Sequence, residues 1–290
     1  MIKEALAALG HSARDLFRNW RGLLLLAAVY AGLLACLYLF FATGVATAWQ
    51  LAYGTALAGV AAPLLWLLLE AGAANAALPG ATARTVARRA PRDLPKVLLL
   101  AIPLVALGVL LVYLLGKLPG WLPKVEEAPH VFAGGPSAGP RPAPLHWQEA
   151  LVTSLWLLLL GVALPLAAAH LWLAAARDGL GATLKAFHRV VGRAFAPRSV
   201  LVYALGLFVF GLTPYFVIYT RTSVSNGWAE LFVFGLRLAL AFVLTLAGWV
   251  ITLGALARLT PPLREAPAAA EPAHAPPPTE RAAAEPQLQA

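Results

Sequence analysis

The chain has 290 residues, 60% hydrophobic and only 12% charged, and its 22 Lys and Arg against 13 Asp and Glu give a net charge of +9. Mean hydropathy is +0.75, whereas a soluble domain carries about 25% charged residues, so a water-soluble globule is excluded and an integral membrane protein is indicated. The single cysteine, Cys36, can form no intrachain disulfide, and the paired Cys and His spacings of metal sites are absent.

The N-terminal segment places Ile2, Ala5, Leu6, Leu9, Ala13, Leu16, Phe17 and Trp20 within an arc of about 120° on a helix. Lys3, Arg14 and Arg18 gather opposite. This predicts an amphipathic helix lying in the headgroup plane. After it come six apolar runs, each long enough for the about 20 residues that cross a bilayer core: Gly22–Thr43, Trp49–Ala71, Val97–Gly116, Leu151–Ala174, Val200–Tyr219 and Leu238–Ala257. Backbone groups in lipid must be satisfied internally, so these runs are read as helices and the fold class as all-α, polytopic. The first run is too long for the apolar core of a signal peptide and is read as an uncleaved helix.

Residues 1–259 therefore form one six-helix domain. The 117–148 loop, rich in proline and carrying Gly134-Gly135, is too broken for a core. The Pro/Ala-rich tail from Thr260 to Ala290 is expected to be disordered. Seventeen of the 22 basic residues fall on the side shared by the two termini, against five on the other. The positive-inside rule makes that side cytoplasmic. Arg outnumbers Lys, and Ala, Leu, Pro and Gly dominate, which looks like the coding bias of a high-GC bacterium; the expected location is a bacterial inner membrane. Trp20, Trp49, Trp121, Trp147 and Trp228 fall at span ends or in adjoining loops, where aromatic belts sit.

Two connectors on the basic side resemble each other. Gly80-Ala81-Thr82 recurs as Gly181-Ala182-Thr183, and the same offset carries Arg84, Arg88 and Arg92 onto Lys185, Arg189 and Arg193. Each connector follows a helix containing a proline, Pro63 or Pro165. Spans two and three thus read as duplicated in four and five, a parallel repeat rather than the inverted one common in secondary transporters. Bases four apart stack on one helix face. The two rows therefore offer a candidate site for anionic lipid headgroups or an acidic protein partner, besides their ordinary part in setting topology. In the second connector Leu184, Phe187, Val190, Val191, Ala194 and Phe195 form a matching apolar arc.

The middle of every span is free of ionisable residues, which argues against an ion-coupled pump. The nearest are Glu70, His170 and Arg237. Glu70 and His170 occupy corresponding ends of the two repeat helices and form a candidate interfacial pair, while Arg237 is expected to snorkel to the opposite headgroups. Tyr203, Tyr215 and Tyr219 either line a groove or belong to the aromatic belt. Small-residue pairs, Gly54 with Ala58, Ala58 with Ala62 and Gly235 with Ala239, would allow close helix packing. No His-Glu-x-x-His, Gly-x-Ser-x-Gly or phosphate loop is present. Outside the spans the main acid and base candidates are His130, His146, His188, Glu126 and Glu127. No cofactor and no metal is expected, and no nucleic acid; membrane lipid, a protein partner or a second copy of the chain remain.

The Arg18-Asn19-Trp20-Arg21 approach to the first span, with spans two and four each followed by Gly-Ala-Thr and an Arg-rich connector, resembles bacterial six-helix membrane families. Among them is the membrane domain attached to glycerophosphodiester phosphodiesterases, a resemblance covering about residues 1–260. No phosphodiesterase catalytic domain is present, so neither that activity nor its metal carries over. The resemblance implies a non-catalytic accessory bundle. Two functions follow as expectations: a scaffold or accessory subunit touching anionic lipid, or a transporter or permease-type subunit for an apolar or lipid-like substrate. A closed bundle packed through small residues favours the first, and a cavity among spans two to five lined by Tyr or Trp favours the second. A membrane enzyme would need Glu70, His170 or the loop histidines to converge on a metal or nucleophile.

Overall fold

The computed structural model describes residues 1–121, 147–220 and 226–263. These are all-α, with no strand among the described residues. Six helices are long and apolar enough to cross a membrane: Trp20–Ala42, Ala48–Ala76, Ala83–Trp121, Trp147–Asp178, Pro197–Tyr219 and Gly227–Leu259. The protein is a multi-pass membrane protein. Every predicted span lies within one of these helices to within a residue, but most helices run on beyond it. The third gains most, because Ala83 to Lys96 holds mainly good helix formers and Thr82 caps its start by accepting the Thr85 N–H at 3.3 Å. Hydropathy marks where the hydrocarbon begins, not where the helix does.

Three spans carry a wide π turn immediately ahead of a proline: Leu57–Ala61 before Pro63, Leu157–Ala163 before Pro165, and Leu207–Leu212 before Pro214. Proline has no N–H to donate and its ring pushes against the carbonyl four residues back; in these three spans the helix widens to absorb it, whereas the third runs on as α-helix past Pro91, Pro95 and Pro103. The Gly161 carbonyl, four before Pro165, accepts the Tyr203 hydroxyl of the fifth span at 3.0 Å. That bond replaces the one the proline cannot make.

The bundle is packed most tightly toward the end that holds both connectors. There the second span buries Leu67 and the run Leu69 to Asn75, the fourth buries Leu166 to Ala175, and the sixth buries Val250 to Ala257. These stretches are buried all round, and their many Ala and Gly residues let backbones approach. The closest approaches occur at glycines other than the predicted ones. A Cβ on Gly206 would collide with Thr252, one on Gly248 with Phe210, and one on Gly254 with Ser12. Gly235, predicted to pack closely, has open space around it. Toward the other end, Trp49, Leu157, Phe208 and Phe232 are exposed, as lipid-facing side chains must be.

The N-terminal helix, Ile2–Arg18, divides its predicted apolar arc in two. Ala5, Ala8, Ser12 and Leu16 are buried, with Ser12 filling the notch at Gly254 of the sixth span. Ile2, Leu6 and Phe17 stay exposed. An Asp15–Arg258 ion pair and the Asn19 side chain, which donates to the Ala81 carbonyl at 3.1 Å, fasten this helix to the bundle. It is therefore docked on protein along one side and free for lipid along the other.

The two connectors differ in shape. In the first, Gly80 turns the chain at φ +72 and the third span starts at once. In the second the turning glycine is Gly179, at φ +86, and the chain then forms two short helices, Leu180–Lys185 and Phe187–Ala194, before the fifth span. Gly181 lies inside the first of these, so the Gly-Ala-Thr motifs are not conformational equivalents. Thr82 is exposed whereas Thr183 is buried. The tail also begins later than predicted: Arg177 donates to the carbonyls of Thr260 (2.6 Å) and Pro261 (2.9 Å), Arg193 donates to Pro261 (3.2 Å), and Asp178 accepts the Leu263 N–H (3.3 Å). Thr260 to Leu263 are held on the bundle. The rest of the predicted tail, most of the 117–148 loop, and His130, His146, Glu126 and Glu127 lie outside the described residues.

Candidate functional site

The basic rows fare unequally. Arg84, Arg88 and Arg92 stand exposed on one continuous helix and, among the described residues, enter no ion pair. Lys185, Arg189 and Arg193 do not form a second such row. The helix breaks at Ala186, leaving Lys185 on one piece and Arg189 and Arg193 on the next, and Arg193 is committed to the tail. The break lets Val190 and Ala194 bury themselves, and nothing in the local sequence marks it. The apolar arc predicted there is correspondingly split: Val190 and Ala194 face protein, while Leu184, Phe187 and Phe195 are exposed.

Near Lys96 the sequence concealed a polar cluster. Asn75, near the end of the second span, donates from Nδ2 to Asp93 Oδ2 at 2.8 Å, and Lys96 Nζ meets Asp93 Oδ1 at 2.5 Å. Asn75 and Asp93 are buried. A buried carboxylate persists only if paired and hydrogen-bonded, and here the pairing locks the second span to the third.

Glu70 and His170 are both buried, but the structure does not pair them. Glu70 Oε2 accepts the indole N–H of Trp249, in the sixth span, at 2.8 Å. His170 Nδ1 lies 3.0 Å from the carbonyl of Leu166, one turn back on its own helix, and its Nε2 has no partner among the described residues. Corresponding positions in similar helices predicted a meeting; the sixth span, packed against both helices, supplies a partner of its own instead. Arg237, expected to snorkel to the headgroups opposite the connectors, donates to the Thr220 carbonyl at that end of the fifth span. Tyr215 and Tyr219 stack, exposed, with ring centroids 4.5 Å apart, whereas Tyr203 is buried on Gly161. The three tyrosines do not line one groove.

Beside Glu70 the helices part to leave a cavity of about 620 Å³. Trp66 and Glu70 of the second span and Trp249 of the sixth form one end. The third span gives Ala101, Leu104, Val105, Gly108, Val109 and Val112, one face of a helix by their spacing. Opposite stand Leu160, Leu164, Pro165, Ala168 and Trp172 of the fourth span, so the proline and the wide turn before it belong to the wall. Ala101 and Val112 lie about 16 Å apart along the helix, roughly one leaflet of a hydrocarbon core about 30 Å thick. Trp66 and Trp172 meet edge to face with centroids 5.5 Å apart, and the buried Trp172 indole N–H has no partner. Val105 and Val109 are 58% and 64% exposed, so the cavity reaches the lipid-facing surface between the third and fourth spans.

Sequence reasoning missed this site, though a signal existed. Of nine tryptophans, five mark span ends and are all exposed. Of the four inside spans, three line the cavity. Among the described residues no group of three His, Cys, Asp or Glu side chains is placed to hold a metal ion. Comparison with protein-family models, with curated proteins and with solved structures found no match.

Proposed function

We propose that this protein binds an apolar or lipid-like molecule laterally from the bilayer, as a transporter or permease-type subunit does, and that it is not an enzyme. The observation that carries this reading is the cavity between the second, third, fourth and sixth spans, walled by alkyl side chains and three indoles. Pockets of 300–1,000 Å³ are the size that encloses small ligands, and a closed scaffold has no need of one. We place the protein in a bacterial inner membrane with both termini cytoplasmic, supported by the distribution of basic residues. We also read the second and third spans as duplicated in the fourth and fifth: the second and fourth each carry a π turn before a proline, a feature that the fifth shares and the third lacks.

The test is native mass spectrometry of the purified protein, with lipid extraction, on the wild type and Val105→Trp. Val105 faces the cavity from its exposed rim, so an indole there fills space without disturbing the buried core. The wild type is expected to retain an acyl-chain ligand that the variant loses. Equal retention by both would remove the cavity reading.

A second reading, an accessory subunit engaging anionic lipid or an acidic partner, is supported by the exposed Arg84, Arg88 and Arg92 row. Each such base contributes about 1 kcal/mol near an anionic leaflet. Neutralising Arg84, Arg88 and Arg92 together should then abolish a specific interaction while leaving membrane insertion intact; unchanged binding would remove it.

A further inference from the structure

We propose, resting on the cavity reading above, that the cavity selects a single-chain amphiphile with a cationic ammonium head, its charge lying against Glu70 among the indoles of Trp66, Trp172 and Trp249. Among the described residues Glu70 is the only ionisable one in the cavity wall. It is 5% exposed, and among the described residues it has no basic side chain within ion-pair distance. Among the described residues its carboxyl group accepts one hydrogen bond, from the Trp249 indole to Oε2. A carboxylate taken out of water is costly unless a cation accompanies it, and the protein supplies none here. A ligand can.

The surroundings fit that ligand and disfavour others. Indole faces attract cations, most strongly where water is excluded, and quaternary ammonium groups are recognised by such aromatic boxes. Trp66 and Trp172 stand edge to face at the same end of the cavity as Glu70. Beyond them the wall is alkyl along about 16 Å of the third span, which suits one chain. An anionic head would find no cation among the residues that line the cavity, and a neutral one would bring no charge for the carboxyl group or the indole faces to answer. Recognition of opposite charges is thus divided in space: the exposed arginine row faces anions at the surface, and the cavity takes cations from within the bilayer.

The experiment uses the full chain in nanodiscs of phosphatidylcholine, with dodecyltrimethylammonium and 1-dodecanol as probes of equal chain length, read by calorimetric titration against empty nanodiscs. The wild type should bind the cationic probe at least tenfold more tightly than the alcohol, a factor equivalent to about 1.4 kcal/mol. Glu70→Gln keeps an oxygen for Trp249 and should bring the two probes to equal affinity, the alcohol being bound as before. Trp66→Leu, at a half-exposed position, should lower the preference several-fold and serves if the Gln variant does not fold. Equal binding of both probes by the wild type, lost in Val105→Trp, overturns the cation preference and leaves the cavity reading standing. Binding of neither probe overturns both. A preference that survives both Glu70→Gln and Trp66→Leu overturns the proposal.

Discussion

Replacing Asp93 by alanine separates the second span from the third at their one buried polar contact. The change deletes the Asn75 Nδ2 bond at 2.8 Å and the Lys96 contact at 2.5 Å. A hydrogen bond to a charged group contributes about 1.5–3 kcal/mol. The Lys96 ion pair adds about 1 kcal/mol at most, because Lys96 is 36% exposed and screened by solvent. The ammonium reaches water, but of the two Asn75 Nδ2 hydrogens only one keeps an acceptor, the Ala71 carbonyl at 2.9 Å, and the other is left without one at a buried, uncharged amide. The expected loss is therefore about 2–3 kcal/mol, below the 3–5 kcal/mol of a buried charge left alone. Asp93→Asn, which keeps an acceptor for Asn75, should lose about half as much. The assay is reversible unfolding in mixed dodecyl maltoside and sodium dodecyl sulfate micelles, followed by tryptophan fluorescence. Wild-type stability in Asp93→Ala would refute the role given to this cluster.

Three further outcomes are expected. Gly248→Leu pushes a side chain into Phe210 across the contact of the fifth and sixth spans and should cost about 1–3 kcal/mol or more; Gly235→Leu, in open space, should be neutral in the same unfolding assay, and equal costs would contradict the packing described. Tyr203→Phe strips the Gly161 carbonyl of its donor, at about 1 kcal/mol, and this loss should shrink in a Pro165→Ala background, where the helix can use that carbonyl itself; an undiminished loss would rule the compensation out. Arg177→Gln removes two of the bonds holding Thr260 and Pro261, so hydrogen exchange at the amides of Thr260 and Leu263 should rise while the rest of the sixth span is unchanged; exchange identical to wild type would mean the tail is held otherwise.

Legibility followed the range of the interactions. Spans were readable because crossing a bilayer needs a continuous apolar run, a local property. The tryptophans at span ends were readable for the same reason. What joins spans was not: Trp249 and Glu70 are 179 residues apart in sequence, and no periodicity connects them. The expectation that Glu70 meets His170 came from treating two similar helices as a symmetric pair, which left out the sixth span. Small-residue spacing pointed to Gly235 because spacing is blind to what faces it, whereas Gly206, Gly248 and Gly254 are identified by the side chains that occupy their notches. The matched basic rows erred at Ala186, where a helix ends without a proline or glycine to announce it. Pro63, Pro165 and Pro214 were visible from the start, but their consequence, a widened turn whose freed carbonyl a neighbour can claim, needed the neighbour's position.

On the proposed reading, the cavity beside Glu70 holds a chain drawn from the bilayer. Photocrosslinking tests it most directly, with a dodecyltrimethylammonium analogue carrying a diazirine at the end of its chain, followed by peptide mapping of the adduct. Labelling should concentrate on the third and fourth spans around Val109, Val112 and Leu160, and be suppressed by Val105→Trp and by excess unlabelled probe. Labelling spread evenly over exposed residues such as Phe208, Phe232 and Leu24, and indifferent to both, would contradict it.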